Sequence, residues 1–334
     1  MTNRAPTPFI GYHAPSEQFA AADLIEFAVA AEAAGFDGVT VSDHFHPWQD
    51  NQGHAGHAWV TLAAIGQRTE RLVMGTGVTC PTYRVHPAQV AHAFASLGVL
   101  YPGRVFLGVG TGEALNELSA GGGWGPYRER AERLVEAVRL IRRLWSEDWV
   151  DFEGRYFRVQ KSKLYDKPAT PVPIYVAASG PRSARIAGEE GDGWITDIGT
   201  MRGRPEVCQA FVEGARASGK DVEAMQKIVE LWAVVGDQEE ALEAARLWQF
   251  LPVFPQVVNV ADPREVQRLA EERSSPELTA KGWVVSRDPK EHIAAIEEMA
   301  RLGTTHIFVH TPQADQRGVI EFYGREVLPE VRRG

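Results

Sequence analysis

The chain has 334 residues, 44% of them hydrophobic and 24% charged, the make-up of a globular protein with a sizeable core. Its net charge of −9 is spread as interleaved acids and bases, so no basic stripe for nucleic acid is present. Two cysteines, Cys80 and Cys208, exclude a disulfide framework and a thiolate metal site. With no apolar signal core in residues 1–8 and no bilayer-length apolar run, a cytosolic protein is expected.

Taken in chain order, short apolar or β-branched runs alternate with amphipathic stretches. The first strand is expected at Phe9–Ala14. A helix over 20–34 follows, with apolar spacing at Leu24, Phe27, Ala28 and Ala31. Gly35 and Asp37-Gly38 end it and turn the chain into a strand at 39–42. The pattern recurs at 72–78, 104–109, 174–178, Gly193–Thr196, 228–235 and His306–His310. Eight strands separated by helices predict parallel pairing and a single (β/α)₈ TIM barrel over 1–334. A doubly wound sheet is disfavoured, because no early strand runs into a Gly-x-Gly-x-x-Gly turn with an acid about 20 positions later. Two insertions interrupt the rhythm, at about 149–173 and 249–281. The first reads as a hairpin turning at Glu153-Gly154, and the second as a cover for a pocket on the catalytic face.

Barrel chemistry lies at the C-terminal ends of the strands. There the sequence gathers His13 and Glu17, then Ser42, Asp43, His44, His46 and Trp48, then Thr111, Glu113 and Asn116, and finally His310. Singly, each has an ordinary explanation: Asp43 as a cap, His44 as a core histidine, Glu113 and Asn116 as first-turn residues favoured by the helix dipole. Packing explains the set less well. His44 and His46 lie two apart with no third ligand at a recognisable spacing, so no metal site is expected. His54 and His57 read as loop residues entering a helix. The turns "GVGTGEALNE" and "AASGPRSA" each lead small residues into a helix start, which suits the phosphate of a long cofactor.

The segments "SDHFHPW", "GTGVTCPTYR", "YPGRVFLGVGTGEALNE", "VPIYVAASGP" and "GDGW" follow one another as in the deazaflavin (coenzyme F420)-dependent glucose-6-phosphate dehydrogenases, a branch of the bacterial luciferase-like superfamily. The resemblance runs from about Phe9 to Arg332. It implies a homodimer, a small-molecule substrate, coenzyme F420 as hydride carrier and a non-prolyl cis peptide at Gly77-Val78. Cofactor contacts are implied for Asp43, Gly77, Val78, Thr111, Gly112, Asn116, Ala177, Ala178, Ser179, Gly180, Arg182 and Ser183. Cys80 stands where the family has a cofactor-contacting threonine, so that contact is weakened. His44, Trp48, Glu113 and Glu17 match the catalytic constellation.

Hydride transfer from a CH–OH carbon needs a base at the oxygen, and His44 suits that role near neutral pH, with Glu17 as its competitor. Glu113 would protonate the ring as hydride arrives, which needs a raised pKa. Sugar-phosphate-oxidising relatives grip phosphate with two lysines and an arginine. Thr200, Val257 and Gly282 align with those positions here, although Arg202, Arg204 or Lys281 would restore a cation after a small shift of register. Thr200, Trp232, Phe254 and Trp283, with Trp48, are therefore expected to line a less polar pocket. The expected activity is oxidation of a non-phosphorylated secondary alcohol or reduction of its ketone. The alternatives are sugar-phosphate oxidation and an FMN-dependent monooxygenase on the same fold.

Overall fold

A computed structural model describes residues 7–333. The strands, in chain order, are β1 (Phe9–Ala14), β2 (Gly38–Val41), β3 (Val73–Thr76), β4 (Val105–Val109), β5 (Val150–Glu153), β6 (Arg158–Ser162), β7 (Ile174–Ala177), β8 (Gly193–Thr196), β9 (Gln226–Val234), β10 (Val284–Val285) and β11 (His306–His310). Eight of them, all but β5, β6 and β10, are the parallel staves of a closed (β/α)₈ barrel with helices between strands. Residues 1–6, part of the stretch without a signal-like core, lie outside the described residues. No helix among the described residues is long and apolar enough to cross a membrane.

The chain packs as two compact units, 1–72 with 227–334, and 73–226. In the first unit the strand order is β10-β9-β11-β1-β2, all parallel. Helix Ala21–Ala34 buries Leu24, Ala28 and Ala31, while Phe27 is half-buried, edge-on to Phe19. The helix stops at Gly35, whose φ of 96° is the left-handed conformation that glycine adopts without a Cβ penalty. Asp37 then fastens the turn, its carboxylate accepting the Ile10 amide at 2.8 Å.

Register decides what fills the strand interior. Phe9 lies opposite His306, Gly11 opposite Phe308, and Phe308 opposite Glu230. A Cβ on Gly11 would come within 2.2 Å of the Phe308 ring, so the missing side chain is what lets Phe308 plug this layer. The layer below stacks Phe9 on His306 at 4.5 Å. One residue pair further along, the interior changes from apolar to polar: His13 stacks on His310 at 4.1 Å.

In the second unit the order is β3-β4-β7-β8, again parallel. The third predicted strand, 72–78, is shorter than expected. The ladder ends at Thr76, the Gly77-Val78 peptide is cis, and pairing resumes only as an isolated bridge between Thr79 and Val109. The first insertion is the expected hairpin, β5 antiparallel to β6. The second is helical, with Phe254–Val257, Pro263–Arg273 and Pro276–Thr279 each begun by a proline in the first turn.

Candidate active site

The end of β2 and the segment after β1 place His44, Glu17 and Trp48 together within the first unit. The His44 Nε2 lies 3.6 Å from Glu17 Oε1, and its Nδ1 lies 3.0 Å from the His46 carbonyl oxygen. A carbonyl only accepts, so Nδ1 carries the hydrogen and Nε2, facing Glu17, is the basic nitrogen. Glu17 is buried. Desolvation raises its pKa, opposed by the charge of His44, its own backbone amide and a hydrogen bond from Ser42. Its second oxygen, Oε2, is buried without a hydrogen bond. Asp43, the neighbouring acid, accepts the indole N–H of Trp59 at 3.1 Å.

Trp48 meets the His44 ring at 5.3 Å and 60°, edge to face, and stacks on Phe250 at 4.5 Å and 13°. Phe254 closes on Trp48 edge-on at 5.4 Å. The aromatic wall continues through Trp248 to Trp232, which stacks on Trp283 at 5.3 Å and on His310 at 3.8 Å. The row divides by exposure: Trp248 and Phe250 are buried backing, whereas Phe254, Trp232 and Trp283 keep accessible surface. Gln49 anchors the 249–281 insertion against this wall, its side chain accepting from the Phe250 amide and donating to the Arg246 carbonyl.

Behind His44 lies a polar layer of which only the strand-end members were expected. His13 bonds Thr40 Oγ1 (2.9 Å) through Nδ1 and Ser42 Oγ (3.1 Å) through Nε2, and Glu230 stands 3.4 Å from the same Nδ1. Glu230 also approaches His310 Nδ1 at 3.5 Å. His13, Glu230 and His310 offer three donor atoms within 4.8 Å of one another. A metal needs lone pairs that converge. The two imidazoles are stacked at 26°, so theirs run side by side, which speaks against a metal centre.

The second unit holds the remaining expected residues in two turns. After β4, Gly112 has φ +86°, and Glu113 caps the short helix Ala114–Glu117 while its Oε2 accepts from Asn116 Nδ2 at 3.2 Å. Thr111 is half-buried beside them, and Cys80 is a buried thiol outside any disulfide. Two helical residues that pack at this turn escaped the sequence reading. Arg130 donates to the Gly112 carbonyl and lies over the Trp124 ring at 3.8 Å. Glu117 is buried and accepts the Arg84 amide at 2.8 Å; burial, reinforced by the charge of Glu113, pushes its pKa up to about 7.

A carboxyl whose pKa is higher folded than unfolded loses stability as pH rises through the folded value. Glu117→Gln should therefore gain on the parent protein by about 2–3 kcal/mol between pH 5 and pH 8, at about 1.4 kcal/mol per pKa unit. Urea unfolding of both proteins at the two pH values checks this. An equal pH slope in both would place the Glu117 pKa in the ordinary carboxylate range.

After β7, the Ala178 amide donates to Ile195 and its carbonyl accepts from Trp194 Nε1, fixing the strand exit beyond Ala177. Ser179 and Arg182 are exposed. The Ser183 hydroxyl holds the Gly180 backbone at both N and O, at the start of helix Pro181–Glu190. Arg204 donates to the Ser179 carbonyl at 2.6 Å.

The positions aligned with a phosphate grip do not offer one. Thr200 is buried, and its hydroxyl donates to Asp197 at 2.6 Å. Val257 is fully buried and Gly282 has no side chain. Among the cations that a register shift would recruit, Arg204 is already paired with Glu206 and Ser179.

Residues 6–306 match the luciferase-like monooxygenase family, and the chain belongs to that family. Within it, the chain is 48% identical, over 99% of its length and 92% of the relative's, to an F420-dependent hydroxymycolic acid dehydrogenase of Mycobacterium tuberculosis. It is 43% identical to an F420-dependent glucose-6-phosphate dehydrogenase of Nakamurella multipartita, over 98% of both chains. Its structure matches that of an F420-dependent secondary alcohol dehydrogenase, solved with an F420–acetone adduct, with a TM-score of 0.92 at 37% identity. That match covers 98% of this chain and all of the other.

Proposed function

We propose that this protein is an F420-dependent dehydrogenase acting on CH–OH groups, its substrate a non-phosphorylated secondary alcohol or the matching ketone. The observation that carries the reading is the His44–Glu17 pair set beside an aromatic wall with no committed cation at the aligned phosphate positions. The names of the relatives support an F420-linked CH–OH oxidoreductase and leave the substrate open.

The residues present fit the cofactor. At helix Pro181–Glu190 the amides of Arg182 and Ser183 precede that of Ala184, the first to donate within the helix (to Gly180 O), and a Cβ on Gly180 would meet only Ser183 Oγ, at 3.8 Å. Amide donors, the Arg182 guanidinium and an open cradle suit a phosphodiester. Ala177, Ala178, Ser179, Gly180, Arg182 and Ser183 would hold that tail, and Asp43, Gly77, Val78, Thr111, Gly112 and Asn116 the ring and side arm, with Cys80 as an apolar contact. When bound, the deazaflavin supplies the hydride acceptor.

The side chains supply the rest. His44 Nε2 accepts the hydroxyl proton, its orientation set by the Nδ1–H bond to His46. Glu17, whose protonated form is favoured by burial, stands 3.6 Å from that nitrogen as the next group to take the proton. Trp48 meets the imidazole edge to face, where its π face eases positive charge on the ring, and with Phe250 it shuts water out. Glu113 is the acid that would pass a proton to the ring, its carboxyl kept in place by Asn116. Phe254, Trp232 and Trp283 receive the apolar body of the alcohol, and Thr200 lends shape rather than charge. The homodimer and the cytosolic location belong to the same reading; light scattering tests the dimer.

Calorimetric titration tests the cofactor assignment. Oxidised F420 should bind at least about tenfold more tightly than FMN, a difference of about 1.4 kcal/mol. Equal or tighter FMN binding overturns it.

A further inference from the structure

Taking a proton is only half of a base's task, because the base must be emptied before the next turnover. The pair that receives the proton is nearly sealed: the side chains of His44 and Glu17 are 9% and 2% exposed. With substrate above it, the pair has little direct access to water.

The polar layer behind it is a continuous set of proton-bearing groups. Ser42 is one of the groups that hold the pKa of the buried Glu17 carboxyl down against desolvation, and its Oγ lies 3.1 Å from His13 Nε2. On the other side of the same ring, His13 Nδ1 lies 3.4 Å from Glu230 Oε1. Ser42 and His13 are buried, whereas the Glu230 side chain remains 35% exposed. The set thus begins at the sealed base and ends at a carboxylate that meets water.

Such a layer has a cost that packing does not explain. Unpaired polar groups inside a barrel are unfavourable, and one pair deeper the same strands use Gly11 and Phe308. Both His13 nitrogens are engaged, Nε2 with Ser42 on the base side and Nδ1 with Thr40, with Glu230 3.4 Å from the same Nδ1. The surrounding groups are Thr40 on β2, which bonds His13 Nδ1, and His310 on β11, which stacks on His13 and approaches Glu230.

We propose that Ser42, His13 and Glu230 form a proton path linking the Glu17–His44 pair to solvent, an inference that rests on the alcohol dehydrogenase reading. In the oxidative direction the carbinol C–H bond breaks with its electron pair, leaving as a hydride that a bound deazaflavin would accept. The O–H proton goes to His44 Nε2 and the C=O bond forms. That proton passes to Glu17 and then to Ser42 Oγ, while the Ser42 hydroxyl turns its own hydrogen from Glu17 to His13 Nε2, the ring being the Nδ1–H tautomer. The Nδ1 hydrogen moves to Glu230 and from there to water. One proton enters and one leaves, and reduction of a ketone uses the path in reverse. Burial, with the neighbouring charge of His310, lowers the His13 pKa to about 3, so the ring relays as a neutral imidazole and does not store charge.

The experiment compares first-turnover and steady-state rates in the parent protein, Glu230→Gln, His13→Gln and Ser42→Ala, each with F420 and an alcohol the parent oxidises. The first turnover starts with an empty base, so its rate should stay within about twofold of the parent. Steady-state kcat should fall about tenfold or more, with KM and the F420 dissociation constant little changed, and imidazole or formate should restore it. Parent-like kcat in folded Glu230→Gln and Ser42→Ala overturns the path. So does a first turnover that falls in step with kcat and ignores added buffer. His13→Gln is the variant most exposed to misfolding, and the other two interrupt the same path with smaller changes. If the parent itself oxidises no alcohol, the alcohol reading and the path fail together; if it does and the variants match it, only the path fails.

Discussion

Replacing His44 with alanine is expected to lower kcat by about 10²- to 10⁴-fold while F420 affinity stays near that of the parent protein. The basic nitrogen is Nε2, since Nδ1 donates to His46, and it is this nitrogen that faces Glu17. Removing it leaves Glu17 as the nearest proton acceptor, a buried carboxyl whose desolvation favours the protonated form over the basic one. The affinity should be spared because the residues assigned to the phosphodiester lie after β7, far along the chain from His44. Stopped-flow bleaching and equilibrium titration of His44→Ala check both parts. Near-parent turnover in that variant, with the loss appearing in Glu17→Gln, would transfer the base to Glu17.

Glucose 6-phosphate should be a poor substrate, with kcat/KM at least about 10³-fold below that for an apolar secondary alcohol. A phosphate dianion entering a dry pocket must regain its hydration from fixed cations, at about 1.5–3 kcal/mol per charge-assisted hydrogen bond. Three absent cations remove several kcal/mol, and each 1.4 kcal/mol is about tenfold. Thr200 cannot compensate, because its hydroxyl already donates to Asp197, and Val257 is buried. Phe254, Trp232 and Trp283 favour the opposite kind of molecule. Steady-state kinetics across glucose 6-phosphate and a panel of neutral alcohols, up to large ring systems and long alkyl chains, make the comparison. A micromolar KM for the sugar phosphate with ordinary turnover would mean that Arg202, Arg204 or Lys281 has taken up the grip.

The barrel was legible because its strand units are local: a β-branched run, a turn of glycine or aspartate, then a helix with one apolar face. Gly35 and Asp37 mark such a boundary in residues alone. β10 was not legible, since two valines carry no period. At the site, His44, Glu17 and Trp48 could be found because strand ends are where a barrel keeps its chemistry. Glu230 could not be found that way. It sits mid-strand in "KIVELWAVV", where one acid reads as ordinary alternation, and only the pairing of β9 with β11 brings it to His13 and His310. The usable signal was that Glu230 lies two positions before Trp232, on the same strand face as that expected pocket residue. Glu117 and Arg130 were hidden for another reason: each lies on a helix facing its own unit's interior, where charge is normally absent. That Thr200 is committed to Asp197 is likewise a fact of geometry, invisible in a threonine.

The most direct test of the central claim is the absorbance of oxidised F420 mixed with the purified protein and a series of secondary alcohols. The account predicts bleaching of the deazaflavin band with a neutral, apolar alcohol, one ketone formed per F420 reduced, and no oxygen consumed. Failure of every alcohol to bleach the band, or oxygen uptake with reduced FMN in its place, would contradict it.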